Sequence, residues 1–197
     1  MAQTSTSILS DKNHKADKSG TVISFTKTGT EYKISSSDTG SVSFGTYSQY
    51  DLITVSGAAN STNNSTFTVK SVSADNDFII VEEEVATENP DGSSIITLDN
   101  TGFVSAKSQG DGYYSQPDGV HTVSYKVNAT LTGSIKMQGT LATTPTEDDW
   151  FDITGTTFTT DQSTTISSAN FTGNFVWVRA KATGVTAGTI TEILLNK

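Results

Sequence analysis

Two histidines, His14 and His121, are the side chains of this sequence whose ordinary pKa lies nearest neutrality, so they are the first candidates for acid–base chemistry. Cysteine is absent, which excludes disulfides, thiolate metal sites and cysteine nucleophiles. No Gly-x-Ser-x-Gly elbow positions a serine nucleophile. His121 lies in an alternating stretch and is expected to be a half-exposed strand residue, and two histidines are too few for a histidine metal site. The sequence therefore predicts no enzyme, no cofactor and no metal site.

Carboxylates form three clusters, namely Glu82–Glu84, Asp75–Asp77 and Glu147–Asp149. The first is typical of a solvated face or a charged strand edge, and an interaction face is the alternative. The second resembles the start of a calcium loop but lacks the Gly and terminal Glu of that loop, so a turn is favoured. The third could join Asp111 or Asp118 in a calcium site across loops, and this alternative stays open beside a purely solvated role.

Aromatic residues near loops are the remaining binding candidates. Tyr113, Tyr114 and Trp150 lie in or next to predicted loops of the C-terminal half. Such rings stack on sugars or form the hot spots of protein interfaces. For Trp150, core packing and surface contact both stay open. Trp177 lies in an apolar strand pattern and is expected in the core or in the packing between the sheets.

The composition excludes several classes of partner. The chain has 197 residues, 34% of them apolar, and a formal net charge of −9. An acidic chain is repelled by phosphate backbones, so we expect no nucleic-acid binding. No apolar run approaches the roughly 20 residues that span a bilayer, so we expect no membrane insertion. Serine and threonine are the commonest residues, which suits short strands with polar outer faces.

Residues 1–20 are polar and show no periodicity. We expect a flexible arm or an arm that a partner orders, in which Lys12, Lys15 and Lys18 pair with an acidic neighbour. A disordered terminus without a partner is the alternative. The first residues lack the basic and apolar regions of a signal peptide, which predicts synthesis in a cytoplasm without export by the general route.

Residues 21–99 alternate between short β-rich runs and polar turns. The run Thr66–Val72 places Phe67 and Val69 on one face with a period of two. About six such runs in about 80 residues predict a small antiparallel barrel or sandwich. The runs are Thr21–Thr26, Glu31–Ile34, Asp51–Ser56, Thr66–Val72, Phe78–Val81 and Ser94–Leu98.

A second strand set follows a turn-like break at residues 99–102, where we place the domain boundary. Val120–Val127 alternates cleanly, and Arg179 and Lys181 share one face of a later strand. Residues 102–197 therefore predict a β-sandwich with a jelly-roll-like rhythm. No helix is expected. The predicted fold class is all-β, with two small antiparallel β domains.

Parts of both domains resemble structural proteins of viruses. The order Tyr50–Gly57, Asn64–Val72 and Phe78–Val81 resembles a small β module common in tailed-phage virion proteins, in which Gly-Asp stands where this chain has Tyr50–Asp51. The second domain is similar to structural proteins of marine myophages, especially cyanophages. The segments that carry this second resemblance are Gly112–Val123, Gly133–Ile153, Asn170–Arg179 and Gly188–Asn196.

The resemblance implies a non-enzymatic virion component that would be made in the host cytoplasm and would contact other virion proteins. It implies a multi-copy homo-oligomer or assembly, in the place of a capsid decoration, neck or tail accessory protein. A receptor- or glycan-binding module of a tail fibre or baseplate is the alternative, with Tyr113, Tyr114 and Trp150 as its contact residues. The resemblance carries no catalytic residues over to this chain.

Overall fold

The protein is an antiparallel all-β chain, as the sequence predicted. The computed structural model describes residues 5–114, 119–160 and 164–196. Strands account for 51% of the chain and helical turns for 5%. The helical turns are short 3₁₀ segments at Ser61–Asn63, Asp111–Tyr114 and Glu147–Asp149. Within the described ranges, no helix has the length and apolar character needed to cross a membrane.

The strands are short and follow one another closely along the chain. They are β1 (Ser5–Asn13), β2 (Lys18–Gly20), β3 (Ile23–Thr28), β4 (Glu31–Ser36), β5 (Asp51–Ser56), β6 (Thr66–Val72), β7 (Phe78–Val81), β8 (Ile96–Val104), β9 (Ser108–Gln109), β10 (Val120–Val127), β11 (Ser134–Thr140), β12 (Phe151–Asp152), β13 (Phe158–Thr159), β14 (Ile166–Thr172), β15 (Trp177–Thr183) and β16 (Thr189–Asn196).

The chain divides into two compact units. The barrel unit comprises residues 15–101, and the sandwich unit comprises residues 5–14 together with 102–196. The division after Thr101 falls inside β8, so the segment predicted as a turn-like break is a strand. The reason is that Asn100, a typical turn former, is buried and bonds across the barrel unit. Its Nδ2 donates to the Leu52 carbonyl at 3.1 Å, and its Oδ1 accepts from the Lys15 amide at 3.0 Å.

The barrel unit is a sheet whose first and last strands are neighbours in the sequence. The pairing order is β2, β8, β5, β6, β7, β4 and β3. Because β2 and β3 follow each other directly along the chain, the first and last strands of this order are one stretch of backbone. Alternate side chains point inward and form the core, with about 1.5–3 kcal/mol gained for each large side chain that is fully buried. They include Phe25, Ile34, Ile53, Phe67 and Ile79.

The sandwich unit packs two sheets around a second core. One sheet has the order β1, β16, β10, β14, and the other is built on β11 and β15 with β12, β13, β9 and residues 102–104 of β8 at their sides. The alternation predicted for β10 is confirmed, because Val123, Tyr125 and Val127 are all buried in this core. The Tyr125 hydroxyl donates to the Thr156 carbonyl at 2.7 Å, which satisfies the polar end of the ring.

The predicted arm of residues 1–20 is wrong wherever the structure describes it. Strand β1 pairs antiparallel with β16, from Ser5 opposite Asn196 to Asn13 opposite Thr189, and β2 pairs with β8. Residues 1–4 lie outside the described part of the chain. A sheet edge needs few apolar residues, and the β1 sequence buries only Leu9 among its apolar side chains to the full extent. The segment therefore lacked the periodicity on which the strand prediction depends.

The three lysines of that segment belong to the folded units. Lys12 is buried in β1, and Lys18 is half-buried in β2. The Lys15 ammonium lies 2.8 Å from a carboxylate oxygen of Asp51, whose side chain is fully buried. These positions place the lysines in the folded units and not on a flexible arm, while their pairing with an acidic neighbour stays a prediction.

Tyr50 occupies a backbone conformation that suits glycine. The Asp51 amide donates to the Ser48 carbonyl at 3.1 Å, which closes a four-residue turn, and Tyr50 is its third residue with φ of 74°. A type II turn requires a positive φ at this position and usually has glycine there.

We predict that Tyr50→Gly is more stable than Tyr50→Ala by about 1 kcal/mol, because both changes remove the ring but only glycine adopts the positive φ without steric cost. Urea unfolding of the two variants measures the difference. Equal stabilities, or a more stable alanine variant, would show that the turn is not strained at this residue.

Candidate functional site: an aromatic and ionic surface on β15

Strand β15 presents two different faces. Val178, Ala180 and Ala182 point into the core, so Trp177 and Arg179 point away from it. The partner strand β11 places polar side chains beside these outward residues, with Thr140 opposite Trp177 and Gln138 opposite Arg179. We call the outer surface formed by Lys107, Tyr113, Trp150, Trp177 and Arg179 the β15 surface.

Arg179 is the fixed centre of the β15 surface. Only 5% of the residue is exposed, and its guanidinium forms a bidentate pair with Glu147, with Nη2 at 2.8 Å from Oε2. Its Nε donates to Gln138 Oε1 at 3.0 Å. The Trp150 ring lies over the guanidinium, with its centroid 4.2 Å from Cζ. A bidentate pair with a stacked ring holds arginine in a single orientation.

Trp177 extends the β15 surface toward the loop before β10. Its indole N–H donates to the Thr143 carbonyl at 3.0 Å. The Tyr113 ring is tilted against it at a centroid distance of 5.1 Å, and the Lys107 ammonium lies 4.6 Å from its ring centre. Tyr113 remains 47% exposed. The prediction that Trp177 packs in the core is wrong, because β15 alternates and Trp177 has the parity of Arg179.

The structure brings together two of the three predicted aromatic residues. Tyr113 and Trp150 both lie on the β15 surface, and the question left open for Trp150 is answered by a partly exposed ring stacked on arginine. The Tyr114 side chain lies outside the described part of the structure. Sequence reasoning missed Trp177 and Arg179 as members of this surface, although their shared parity with Lys181 was a signal for it.

His121 lies in the core of the sandwich unit. Its exposed fraction is 0%, so the expectation of a half-exposed residue is wrong. The ring stacks on Phe171 at 4.8 Å with an interplanar angle of 4°. Its Nδ1 lies 3.1 Å from the Gly119 carbonyl, and its Nε2 lies 4.0 Å from an Asp111 carboxylate oxygen. Its burial follows from the alternation of β10, because His121 lies on the same face as Val123, Tyr125 and Val127. Phe171 of the neighbouring strand β14 lies opposite it.

In the acidic cluster next to the β15 surface, Glu147 and Asp149 bond to other groups of the same chain. Glu147 binds Arg179 and lies 3.5 Å from the Lys181 ammonium. Asp149 Oδ2 accepts from the backbone N–H of Thr146 at 2.7 Å and closes the turn. In residues 5–114, 119–160 and 164–196, no three His, Asp or Glu side chains are grouped to hold a metal ion. The suggested calcium partner Asp118 lies outside these ranges.

The other two acidic clusters are parts of the barrel unit. Glu83 is not simply solvated, because its carboxylate accepts from the backbone N–H and the hydroxyl of Thr68 at 2.6 and 2.7 Å. Glu82 and Glu84 form exposed ion pairs with Lys70 and Lys27. The segment Asp75–Asp77 forms a turn, as expected, with Asp77 bonded to Ser73.

Glu147 gives the sandwich unit a predictable response to acid. Burial alone would raise the pKa of its carboxyl, but hydrogen bonds and charge from Arg179 and Lys181 outweigh burial and lower that pKa. A lowered pKa means that the pair contributes stability above the ordinary glutamate pKa and loses it as pH falls through the lowered value.

We therefore expect the free energy of unfolding to fall as pH drops below about 4.5, and the Glu147→Gln variant to show a shallower fall over that range. Urea unfolding at a series of pH values measures both profiles. Profiles that are parallel for the two proteins would contradict the assignment of this acid response to Glu147.

The β15 surface is an ordered arrangement of aromatic and charged side chains. Arg179 of this surface is paired with Glu147, and the rings are held in place by hydrogen bonds and stacking. No protein-family model matches the chain, and a search of curated proteins found no significant match. The fold and this surface define a two-unit, antiparallel all-β protein with an ordered aromatic and ionic surface on the sandwich unit.

Proposed function

We propose that this chain is a non-enzymatic structural component of a tailed-phage virion that acts through protein–protein contacts. Its place would be that of a capsid decoration, neck or tail accessory protein. Support comes from the resemblance of both domains to phage structural proteins. The positive φ of Tyr50, at the position where the resembled module has glycine, agrees with that resemblance in the backbone.

The observation that carries the proposal is the β15 surface. Trp, Tyr and Arg are the residues that most often dominate the energy of protein interfaces. Here they are already held in one arrangement, so a partner does not have to order them on binding. Arg179 is paired before any partner arrives, which lowers the cost of removing water from its charge.

The charge of the chain fits assembly from free subunits. A net charge of −9 keeps copies soluble and apart before they meet a scaffold. The scaffold would supply the complementary surface for the rings of the β15 surface. Other virion proteins are therefore the proposed partners, and the virion is the proposed location.

Truncating exposed rings of the β15 surface tests the proposal. When the chain is supplied from a plasmid during infection by a phage that lacks its own copy, Tyr113→Ala and Trp150→Ala should each lower the particle-bound amount about tenfold, the loss of about 1.4 kcal/mol expected at a hot spot. Ile95→Ala, which truncates an exposed apolar side chain in the barrel unit, is the matched control. Unchanged incorporation of the ring variants would contradict the proposal.

A glycan-binding module of a tail fibre or baseplate is the second candidate. The observation that favours it is the exposure of the Tyr113 ring, since aromatic faces stack on sugar rings. A glycan array probed with the wild-type chain and with Trp150→Ala separates the two. Saturable binding of a glycan that the variant loses, with normal particle incorporation, would select this second function.

A further inference from the structure

Strand β14 forms one edge of the four-stranded sheet in the sandwich unit. In the described part of the chain it pairs with β10 along one side, in a regular antiparallel register from Val120 opposite Thr172 to Lys126 opposite Ile166. Its seven residues read Ile-Ser-Ser-Ala-Asn-Phe-Thr, with no charge, no proline and no glycine. An edge of this kind is a template for pairing with another strand.

The backbone hydrogen bonds between β14 and β10 show which residues of β14 have their N–H and C=O groups on the free side of the strand. The Val127 amide donates to the Thr165 carbonyl and the Gly173 amide to the Gly119 carbonyl, both at 2.9 Å, so the odd-numbered residues of this segment direct their backbone groups toward β10. The even-numbered residues therefore direct four N–H and four C=O groups to the free side. They are Ile166, Ser168, Asn170 and Thr172.

The other edges of the sandwich unit are protected in recognisable ways. Strand β1 has a register shift between Ser7 and Leu9, a positive φ of 52° at Asp11, and a charge at Asp11 and Lys12. Strands β12 and β13 have two residues each. Bulges, charges and short length are the devices that prevent edge pairing. Among the described strands at the edges of this unit, β14 combines full length with the absence of these devices.

We propose that β14 pairs antiparallel with β14 of a second copy of this chain, in a two-fold register centred on Ala169. This register places Ile166 opposite Thr172 and Ser168 opposite Asn170, and all the outward N–H and C=O groups then find partners. A two-fold interface must be self-complementary, which an uncharged strand satisfies. Two chains with a net charge of −9 each repel least where they meet through a neutral segment.

The side chains support the same pairing. The side chains of the even-numbered residues of β14 lie on the outer face of the sheet. There the hydroxyl of Thr122, on the neighbouring strand β10, donates to Asn170 Oδ1 at 2.9 Å. In the proposed pair, Ser168 of one copy meets Asn170 of the other and repeats this hydroxyl–amide contact. Ile166, which is 62% exposed, would lie against Thr172 and lose part of its contact with water.

A single cysteine tests the register, because the chain has none of its own. Residue 169 would face its own copy at a non-hydrogen-bonded position, where Cα atoms lie about 4.5 Å apart, within the range that a disulfide spans. Under mild oxidation, Ala169→Cys should run mainly as a linked dimer on a non-reducing gel. Ser7→Cys, on the edge strand β1, is the matched control and should stay monomeric. Equal cross-linking of both variants, or none of Ala169→Cys, would overturn the proposal.

Light scattering of the unlinked chain gives an independent readout. Wild type should show a concentration-dependent dimer. Ser168→Pro removes an outward N–H without touching the bonds to β10 and should raise the dissociation constant at least tenfold, whereas Ser168→Val should not. A monomeric wild type, or dimers insensitive to proline, would overturn the pairing. The inference is independent of the proposed function, because either a virion protein or a glycan-binding module can dimerise in this way.

Discussion

Deletion of residues 1–13 should lower the free energy of unfolding of the sandwich unit by at least about 4 kcal/mol. The deletion removes β1, so β16 keeps its pairing with β10 but loses its second partner strand from Thr189 to Asn196. Burial of Leu9 contributes about 2 kcal/mol, and backbone hydrogen bonds contribute about 0.5–1.5 kcal/mol each. Thermal and urea unfolding of the deleted and full-length chains measure the loss.

Two point variants separate the contributions to this loss. Leu9→Ala should reproduce about 2–3 kcal/mol of it, because the side chain is buried against the sandwich core. Ser10→Ala, the exposed neighbour on the opposite face, should change stability by less than about 0.5 kcal/mol. An unchanged melting temperature after the deletion would show that the segment is a dispensable arm after all.

Asp51→Ala should destabilise the barrel unit by about 3–5 kcal/mol. The Asp51 side chain is fully buried and accepts from the Ser48 amide at 2.8 Å, from the Ser48 hydroxyl at 3.1 Å and from the Lys15 ammonium. Removing one member of a buried ion pair leaves the other charge without compensation. Differential scanning calorimetry of the variant and wild type gives the size of the effect.

The exposed ion pair between Lys27 and Glu84 provides the control for this variant. Because both side chains are in contact with water, Glu84→Ala should cost less than about 1 kcal/mol. Similar losses in the free energy of unfolding for Asp51→Ala and Glu84→Ala would mean that burial of the Lys15–Asp51 pair does not increase its contribution to stability.

The alternation of apolar and polar residues in the sequence correctly predicted which face of the central strands is buried. The alternation of Val123, Tyr125 and Val127 predicted their burial, and that of Arg179 and Lys181 predicted their common outer face. This succeeded because a central strand with one buried face must alternate.

The edge strand β1 was missed because an edge can be polar on both faces. Its nine residues bury Leu9 as the single fully covered apolar side chain, and a period of two cannot be read from one position. The turn assigned to residues 99–102 failed for a related reason. Asn100 favours turns locally, but its side chain satisfies backbone groups of distant segments, and such long-range bonds override local preference.

The sequence predicted some residues of the candidate site but not the contacts between them. Tyr113 and Trp150 were selected because loops expose aromatic residues, but the sequence did not show that Trp150 would stack on Arg179 or that Glu147 would pair with it across 32 positions. The stacking of His121 on Phe171 likewise joins residues that are distant in sequence and adjacent in the sheet, although the alternation of β10 already placed His121 on the buried face. Contacts between distant segments are determined by the fold, and local pattern does not encode them.

The proposed function implies that a tailed phage encodes this chain, and quantitative mass spectrometry of gradient-purified particles of that phage tests the central claim most directly. If the chain is a virion structural protein, its peptides are present in intact particles at a constant ratio to the major capsid protein, in every preparation and after washing with high salt. A chain that is found in the lysate of infected cells but is absent from purified particles would contradict the proposed function.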